Sequence, residues 1–193
     1  MFLWVLFLFL STIKGELCSL EIDTFFLVYH LLYMLAIAPK FVDSTRVWIY
    51  QSDRQLTASE AGQIGELLAK FVNSWSAHGS ALVAFGEVYA QRFIILGVDE
   101  LRAGASGCSI DKSTHFVESL ELSFGIGLFD RMTFAWLDAD GIQTASAHVF
   151  TEKYRAGTLT PETVVFDNLV PTLGELRNGW QKPLAESWHK RFV

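Results

Sequence analysis

Cys108 is the residue in this chain whose position most readily suggests chemistry, because it lies in a loop of small residues just before a predicted helix. A thiol at a helix N-terminus is close to backbone N–H groups and to the positive end of the helix dipole. That environment can lower a thiol pKa from about 8.5 and create a nucleophile. His78 and Asp99 each end a predicted element, so they are candidate helpers. Cys108, His78 and Asp99 together form the catalytic hypothesis.

The alternative interpretation assigns these residues to structure. Cysteine is among the most frequently buried residue types, and His78 followed by glycine is typical of a polar helix cap. Residue-type frequencies therefore predict that Cys108 is a small core residue that reacts with alkylating agents only after unfolding.

The same loop could bind an anion through its backbone N–H groups. The candidate binding residues are Glu100, Gly104, Ser106, Gly107, Ser109 and Asp111. A phosphate loop needs Gly, four residues and then Gly-Lys-Ser/Thr. The two glycine positions before Lys112 hold Asp111 and Ser106, so ATP hydrolysis by this route is excluded and only a generic anion nest remains.

No metal or cofactor site is predicted. Asp99, Glu100, Asp111 and Asp130 could gather at one end of a sheet, but acidic residues at strand ends are usually solvated or paired with arginine. The histidines at 78, 115, 148 and 189 have no ligand spacing.

The predicted elements that position the loop begin with a strand at 47–50 and a helix at 58–77. The helix starts from a Thr57/Glu60 capping box and is closed by His78-Gly79. Residues 82–90 and 93–98 then form a hairpin across Gln91-Arg92, and the uninterrupted apolar run at 93–98 indicates a fully buried strand.

The predicted elements of the second half of the domain follow. They include a helix at 109–124 ended by Gly125, and a hairpin of 132–137 with 142–150 across an Asp-Gly turn. A mobile loop at 151–161, a short strand at 163–166 and a tail of short helix and loop after Pro171 follow. The order predicts an α+β fold, namely a ferredoxin-like split β-α-β sheet (β-α-β-β-α-β plus two further strands) with the helices on one face.

Residues 1–43 are interpreted as a hydrophobic leader, and residues 44–193 as a single domain. The leader holds two apolar runs and is either a membrane anchor or an extension upstream of the true start. Because the pattern of a soluble domain begins after Asp43, a chain starting at Ser44 should be soluble and fold on its own.

Charge and cysteine usage limit the partners. The net charge is −6, and no basic run of the kind that follows phosphates is present, which argues against nucleic acid. The chain has two cysteines, Cys18 and Cys108, which lie far apart and indicate no disulfide framework, so a cytoplasmic domain is expected. A membrane contact is expected only if residues 1–43 are made and inserted.

Five stretches suggest a family: RVWIYQSDR at 46–54, RFIILGVDE at 92–100, ASGCSID at 105–111, LFDRM at 128–132 and SWHKRF at 187–192. In these stretches the chain resembles a family of small bacterial proteins that often carry the label ABC transporter ATPase. The label would imply ATP hydrolysis, but the chain has neither a Walker A motif nor an LSGGQ signature. The resemblance leaves the leader outside, and it supplies no catalytic residues.

The functional expectation is a module that binds a protein or small molecule of unknown identity. Its aromatic residues exceed what one small core usually buries, which favours a partner surface. They include Trp48, Tyr50, Trp75, Trp136, Trp180 and Trp188. The alternative is a thiol-dependent enzyme that uses Cys108.

Overall fold

The computed structural model describes residues 37–102 and 104–193. By its internal contacts the chain divides into the units Met1–Ile37 and Ala38–Val193. Two residues that the sequence assigns to the leader belong to the second unit and pack within it: the ring of Phe41 lies 4.9 Å from that of Phe85, and Asp43 pairs with Arg177 at 2.6 Å. The two apolar runs of the leader lie outside the described residues. None of the described helices is long and apolar enough to cross a membrane.

The second unit is built from nine strands and four α-helices in the described part of the chain, which confirms the α+β class. In order they are β1 (Arg46–Gln51), α1 (Ala58–Ser74), β2 (Ser76–Ala77), β3 (Ser80–Ala81), β4 (Ala84–Tyr89), β5 (Phe93–Val98), α2 (Gly107–Phe124), β6 (Thr133–Asp138), β7 (Gly141–Ser146), α3 (Ala147–Arg155), β8 (Val164–Phe166), α4 (Leu173–Gly179) and β9 (Gln181–Pro183), followed by 3-10 helices at Leu184–Glu186 and Trp188–Phe192.

The first sheet has the antiparallel order β1-β5-β4, and β5 in its centre is buried on both faces as predicted. Successive side chains of a strand point to opposite faces. Ile94 and Leu96 join the core cluster that includes residues of α1 and α2. Phe93 instead packs against Phe166 and Trp180, with ring centroids 5.0 and 4.8 Å away.

This sheet keeps the predicted split β-α-β order, because β5 lies between β1 and β4 and α1 connects those two strands. The later strands do not extend it. They form a second antiparallel sheet, β7-β6-β8-β9, while β2 and β3 form a separate hairpin. The reason lies at the outer edge of β1, where Pro171 O accepts from Val47 N–H (3.0 Å) and Leu173 N–H donates to Thr45 O (2.8 Å). A loop therefore occupies part of the position of a fourth strand.

Helix α1 ends at Ser74, three residues before its predicted end. The apolar periodicity continues to Trp75, but Trp75 has left the helix (φ −72°, ψ 123°) and is buried, and its indole N–H donates to Ser109 O at 2.8 Å. His78 (φ 49°) and Gly79 (φ 81°) consequently form the turn between β2 and β3. The prediction that His78 caps the helix is wrong.

The turn between β4 and β5 lies one residue earlier than predicted. Ala90 and Gln91 have positive φ values of 49° and 53°, and Arg92 N–H donates to Tyr89 O at 3.0 Å. The other predicted hairpin is confirmed, with Asp138 paired to Gly141.

The segment after the second hairpin is a helix rather than a continued strand and mobile loop. Ser146 ends β7 and caps α3, its side chain accepting from Val149 N–H. Phe150 and Tyr154 lie four positions apart, which places them on one helix face, and both join the core of the second sheet.

Candidate functional site

A cleft of about 260 Å³ lies along the outer edge of β1. Trp48, Ile49, Tyr50 and Gln51, consecutive residues of β1, form one wall. The other walls come from α2, from the loop between α2 and β6, from the segment after β8, and from the last 3-10 helix. Residues of the first sheet, the second sheet and the C-terminal segment therefore meet in this cleft.

On the edge of β1 that faces away from β5, the hydrogen bonds to other described residues lie at the two ends. Val47 N–H donates to Pro171 O (3.0 Å), and Asp53 N–H donates to Gly127 O (2.9 Å). Alternate residues of an antiparallel strand direct their N–H and C=O groups to the same side, so Ile49 and Gln51 share this outward direction. Within residues 37–102 and 104–193, no hydrogen bond reaches the main chain of Ile49 or Gln51 on this side.

A chain of side-chain hydrogen bonds fixes one wall of the cleft. The Trp180 indole N–H donates to Asn168 Oδ1 (2.9 Å), Asn168 Nδ2 donates to Gln51 Oε1 (2.9 Å), and Gln51 Nε2 donates to Thr133 O (3.0 Å). Because the indole is only a donor, it determines the orientation of both amides. The network thereby joins β1 of the first sheet to β6 and the β8–α4 segment.

His189 lies in the cleft wall and is almost completely buried, with 2% of its surface exposed. Its Nδ1 lies 2.7 Å from Ser187 Oγ, and its ring stacks on Trp188 at 4.2 Å and meets Phe134 edge-on at 4.7 Å. Burial lowers the pKa of His189 to about 4; the charge of Asp167 opposes this shift and that of Lys182 adds to it. The imidazole is therefore neutral at pH 7.

Two ring nitrogens in this wall have no hydrogen-bond partner in the described chain. One is the buried Nε1 of Trp188. The other is Nε2 of His189, which has no hydrogen bond to a described residue but, unlike the indole nitrogen, is not fully buried. Buried polar groups usually have a partner, so an unpaired indole N–H beside a neutral imidazole calls for an explanation.

The mouth of the cleft combines apolar rim residues with one cation, Arg131, and one carboxylate, Asp130. Phe129 and Leu169 are 40% and 52% exposed, and Phe129 meets the Tyr50 ring edge-on at 5.5 Å. Burial raises the pKa of the Tyr50 phenol, and the nearby positive charge of Arg131 partly offsets this effect. Arg131 is exposed and forms no ion pair with any described residue. Its neighbour Asp130 instead accepts hydrogen bonds from Met132 N–H and the Thr133 hydroxyl.

The predicted nucleophile lies outside this cleft. Cys108 is an exposed free thiol in the first turn of α2, so the expectation that it is a core residue is wrong. The frequency argument failed because Ser109, the next residue, takes the buried position. No hydrogen bond joins Cys108 to His78 or Asp99 in the described part of the chain.

The predicted binding loop uses its hydroxyl groups within the fold. Ser106 and Ser109 form a reciprocal capping box, in which Ser109 N–H donates to Ser106 Oγ (3.3 Å) and Ser106 N–H donates to Ser109 Oγ (2.8 Å). The hydroxyls therefore satisfy the helix terminus. Gly104, Gly107 and Asp111 are exposed.

The predicted acidic residues are not gathered into one group. Asp99 accepts from Leu101 N–H (3.1 Å) and lies 3.8 Å from Arg102, while Glu100 pairs with Arg46 at 3.4 Å. His78 is exposed in the β2–β3 turn. Among the described residues, no group of three or more histidine, cysteine or acidic side chains could hold a metal ion.

Sequence reasoning about catalysis missed the residues that line the cleft, notably Gln51, Asn168, Trp188 and His189. A usable signal was present: four of the stretches that suggested a family, 46–54, 105–111, 128–132 and 187–192, contribute residues to the cleft. The spacing of Ser187 and His189 also places a hydroxyl beside an imidazole nitrogen.

The structure places Cys108 at the surface, contrary to the sequence-based expectation, and this placement can be tested by chemical labelling. We expect iodoacetamide to alkylate Cys108 in the folded protein, as read by mass spectrometry of the peptide that contains it. Replacement Cys108→Ser should change the free energy of unfolding by less than about 0.5 kcal/mol, as is usual for an exposed position. As a control, a thiol introduced by Ser113→Cys on the same helix, where Ser113 is 1% exposed, should react only on unfolding. Protection of Cys108 in the native protein would contradict its placement.

Comparison with known proteins adds no identity: no protein-family model matches this chain, and neither curated proteins nor solved structures gave a match.

Proposed function

We propose that the unit Ala38–Val193 is a binding module and that its ligand site is the cleft along β1. The observation that carries the proposal is the cleft itself, whose mostly apolar walls also hold the nearly buried imidazole of His189. The fold surrounds a nearly buried imidazole with rings and holds it by one hydrogen bond, which leaves its second nitrogen for a ligand. Desolvation of such groups costs free energy unless a bound molecule, water or other partner compensates them.

The composition of the cleft indicates the ligand chemistry. Its walls are largely apolar, with a few fixed polar groups, which is the usual character of a ligand pocket. At about 260 Å³ it is slightly below the roughly 300–1,000 Å³ of drug-sized pockets. It therefore suits a largely apolar small molecule, or a few residues of a larger partner, that can form a few hydrogen bonds with the polar groups of the walls.

The proposal can be tested with substitutions that fill the cleft. Thr114→Trp would place an indole in it, because Thr114 lines it from α2. Leu122→Trp adds the same ring to the same helix at a position that is 88% exposed and does not line the cleft. Benzoate, phenylacetate and N-acetylglycinamide would be titrated into each folded protein and followed by ligand-observed NMR.

We expect binding to the wild type and to the Leu122→Trp protein, and binding at least about tenfold weaker to the Thr114→Trp protein, which corresponds to about 1.4 kcal/mol. Equal binding to both variants would mean that the ligand site is elsewhere.

The second candidate is a thiol-dependent enzyme, which the exposure of Cys108 at the start of α2 favours. Cys108 is not among the residues that line the cleft, although Ile110 of the same helix is. The two proposals therefore separate cleanly. Ligand binding in the cleft should survive Cys108→Ser, whereas thiol-dependent turnover should be abolished by it.

We also propose a cytoplasmic location and a protein or small-molecule partner rather than nucleic acid. An exposed unpaired thiol suits a reducing compartment, and the net charge of −6 disfavours contact with phosphate backbones. Membership of the small bacterial family that the chain resembles is also a proposal. It does not include ATPase activity, because the chain has neither a Walker A motif nor an LSGGQ signature.

A further inference from the structure

We infer that the occupant of the cleft is an extended peptide segment with an acidic residue, which hydrogen-bonds to the unpaired edge of β1 as an added strand. The inference rests on the proposed function and names the class of partner. It follows from three separate features: the unpaired edge of β1, the apolar rim, and the unpaired guanidinium of Arg131.

The first feature is the spacing of the unpaired main-chain groups. The stretch of the β1 edge without hydrogen bonds to described residues lies between Val47 and Asp53, whose N–H groups are both bonded. At about 3.3 Å per residue, this gap is about 20 Å long. Ile49 and Gln51 each direct an N–H and a C=O into this gap. Donors and acceptors at strand spacing match the main chain of an extended peptide, and sheet edges are recognised in this way in many peptide-binding domains.

The second feature is the side-chain environment on either face of that gap. Tyr50 and Phe129 lie on one face, and Phe129, Leu169 and Met132 (49% exposed) leave apolar surface at or beside the mouth. Side chains of an added strand alternate between the two faces. Apolar residues of the peptide would cover this exposed surface.

The third feature is charge. Arg131 and Tyr50 both line the cleft, and Arg131 has no ion-pair partner among the described residues. An acidic side chain of the peptide that lies next to Arg131 would complement its charge. A carboxylate fits the planar donors of arginine in two-point contact, which favours aspartate or glutamate there.

A second copy of the same chain is a poorer occupant. The free stretch of β1 is recessed between the Pro171 and Gly127 contacts at its two ends. Two copies of this recessed edge would meet at those flanking loops before their strands could pair.

The test uses the full chain, labelled with ¹⁵N, and a mixture of blocked pentapeptides acetyl-X-X-Glu-X-X-amide, in which X is Val, Thr, Leu or Tyr. In the free protein the amides of Ile49 and Gln51 should exchange with solvent faster than those of Trp48 and Tyr50, which face β5. Saturating peptide should slow the Ile49 and Gln51 amides by at least about tenfold, as expected for a newly formed hydrogen bond.

Two matched comparisons examine the details. Peptides with Gln in place of Glu should bind the wild-type protein several-fold more weakly. The Arg131→Gln protein should bind the Glu and Gln peptides equally well. The control Arg102→Gln, which changes an arginine outside the cleft that is paired with Asp99, should still prefer the Glu peptides. Single N-methylation along the tightest peptide should weaken binding at alternate positions, because only every second N–H faces β1.

Each contrary result has a defined meaning. Ile49 protected in the free protein, no protection by the peptide mixture, or an N-methylation pattern without a period of two would overturn the inference. If the small molecules still bind in a manner sensitive to Thr114→Trp, the binding-module proposal stands and only the peptide assignment fails. If neither probe responds to Thr114→Trp, both fail.

Discussion

Gly97→Ala is expected to lower the free energy of unfolding by about 3 kcal/mol, the upper part of the usual range for overpacking a core. Gly97 lies in β5 opposite Phe85 of β4, and a Cβ atom at Gly97 would lie 2.1 Å from Cε1 of the Phe85 ring. The ring cannot move freely because it also packs on Phe41, with 4.9 Å between the centroids. Urea unfolding followed by circular dichroism measures the effect.

Two companion variants make the cause of that loss identifiable. Phe85→Leu in the Gly97→Ala background should recover part of the loss, so that the double variant costs less than the sum of the single changes. Gly62→Ala, in the exposed middle of α1 with open space around the new methyl group, should instead stabilise by up to about 1 kcal/mol. If Gly97→Ala costs no more than a few tenths of a kcal/mol, Phe85 does not cover Gly97 in solution.

His189 should make the protein less stable as the pH falls from about 6.5 to about 4. Its pKa in the folded protein is lowered to about 4, against an ordinary value of 6.5. Between these values the unfolded chain binds a proton that the native protein excludes, so the unfolded state is favoured. At about 1.4 kcal/mol per pH unit, the total loss is about 3 kcal/mol, and it is recovered when the pH is raised above about 6.5.

His189→Gln isolates this contribution from that of the carboxyl groups. The difference in unfolding free energy between wild type and variant, measured by urea titration from pH 7.5 to 4, should shrink by about 3 kcal/mol toward acid pH. His115→Gln, on the exposed surface of α2, serves as the matched control and should retain the wild-type profile. Parallel profiles for wild type and His189→Gln would show that the imidazole is not held neutral.

Local patterns predicted the elements whose determinants lie close together in the chain. The Thr57/Glu60 box starts α1, Gly125 ends α2 in the left-handed conformation that glycine adopts without strain, and the apolar run of β5 is buried throughout. In each case the residues that decide the structure are neighbours in sequence.

The errors arose where a distant residue decides the outcome. Helix α1 ends early because Trp75 finds Ser109 O, 34 positions away. The strands divide between sheets because the segment around Pro171 takes part of the edge of β1. Cys108 is exposed because Ser109 fills the buried position beside it, and residue-type frequencies carry no information about that local environment.

The cleft could not be derived from spacing, because its walls are brought together only by tertiary packing. Gln51 and His189 are ordinary polar residues in sequence, and their roles come from what surrounds them. The stretches that suggested a family contribute residues to the cleft, but residue identity alone did not predict that they meet there.

The Asn168–Gln51 hydrogen bond joins residues 117 positions apart, and this has a consequence for the order of biosynthesis. A ribosome releases β1 long before it releases the segments that end the free edge and close the cleft. Until then the strand is an uncovered template for pairing with other chains, the situation in which nascent proteins aggregate. We therefore expect chains that stop before Asn168 to aggregate more readily than the complete protein, even though they retain the whole first sheet.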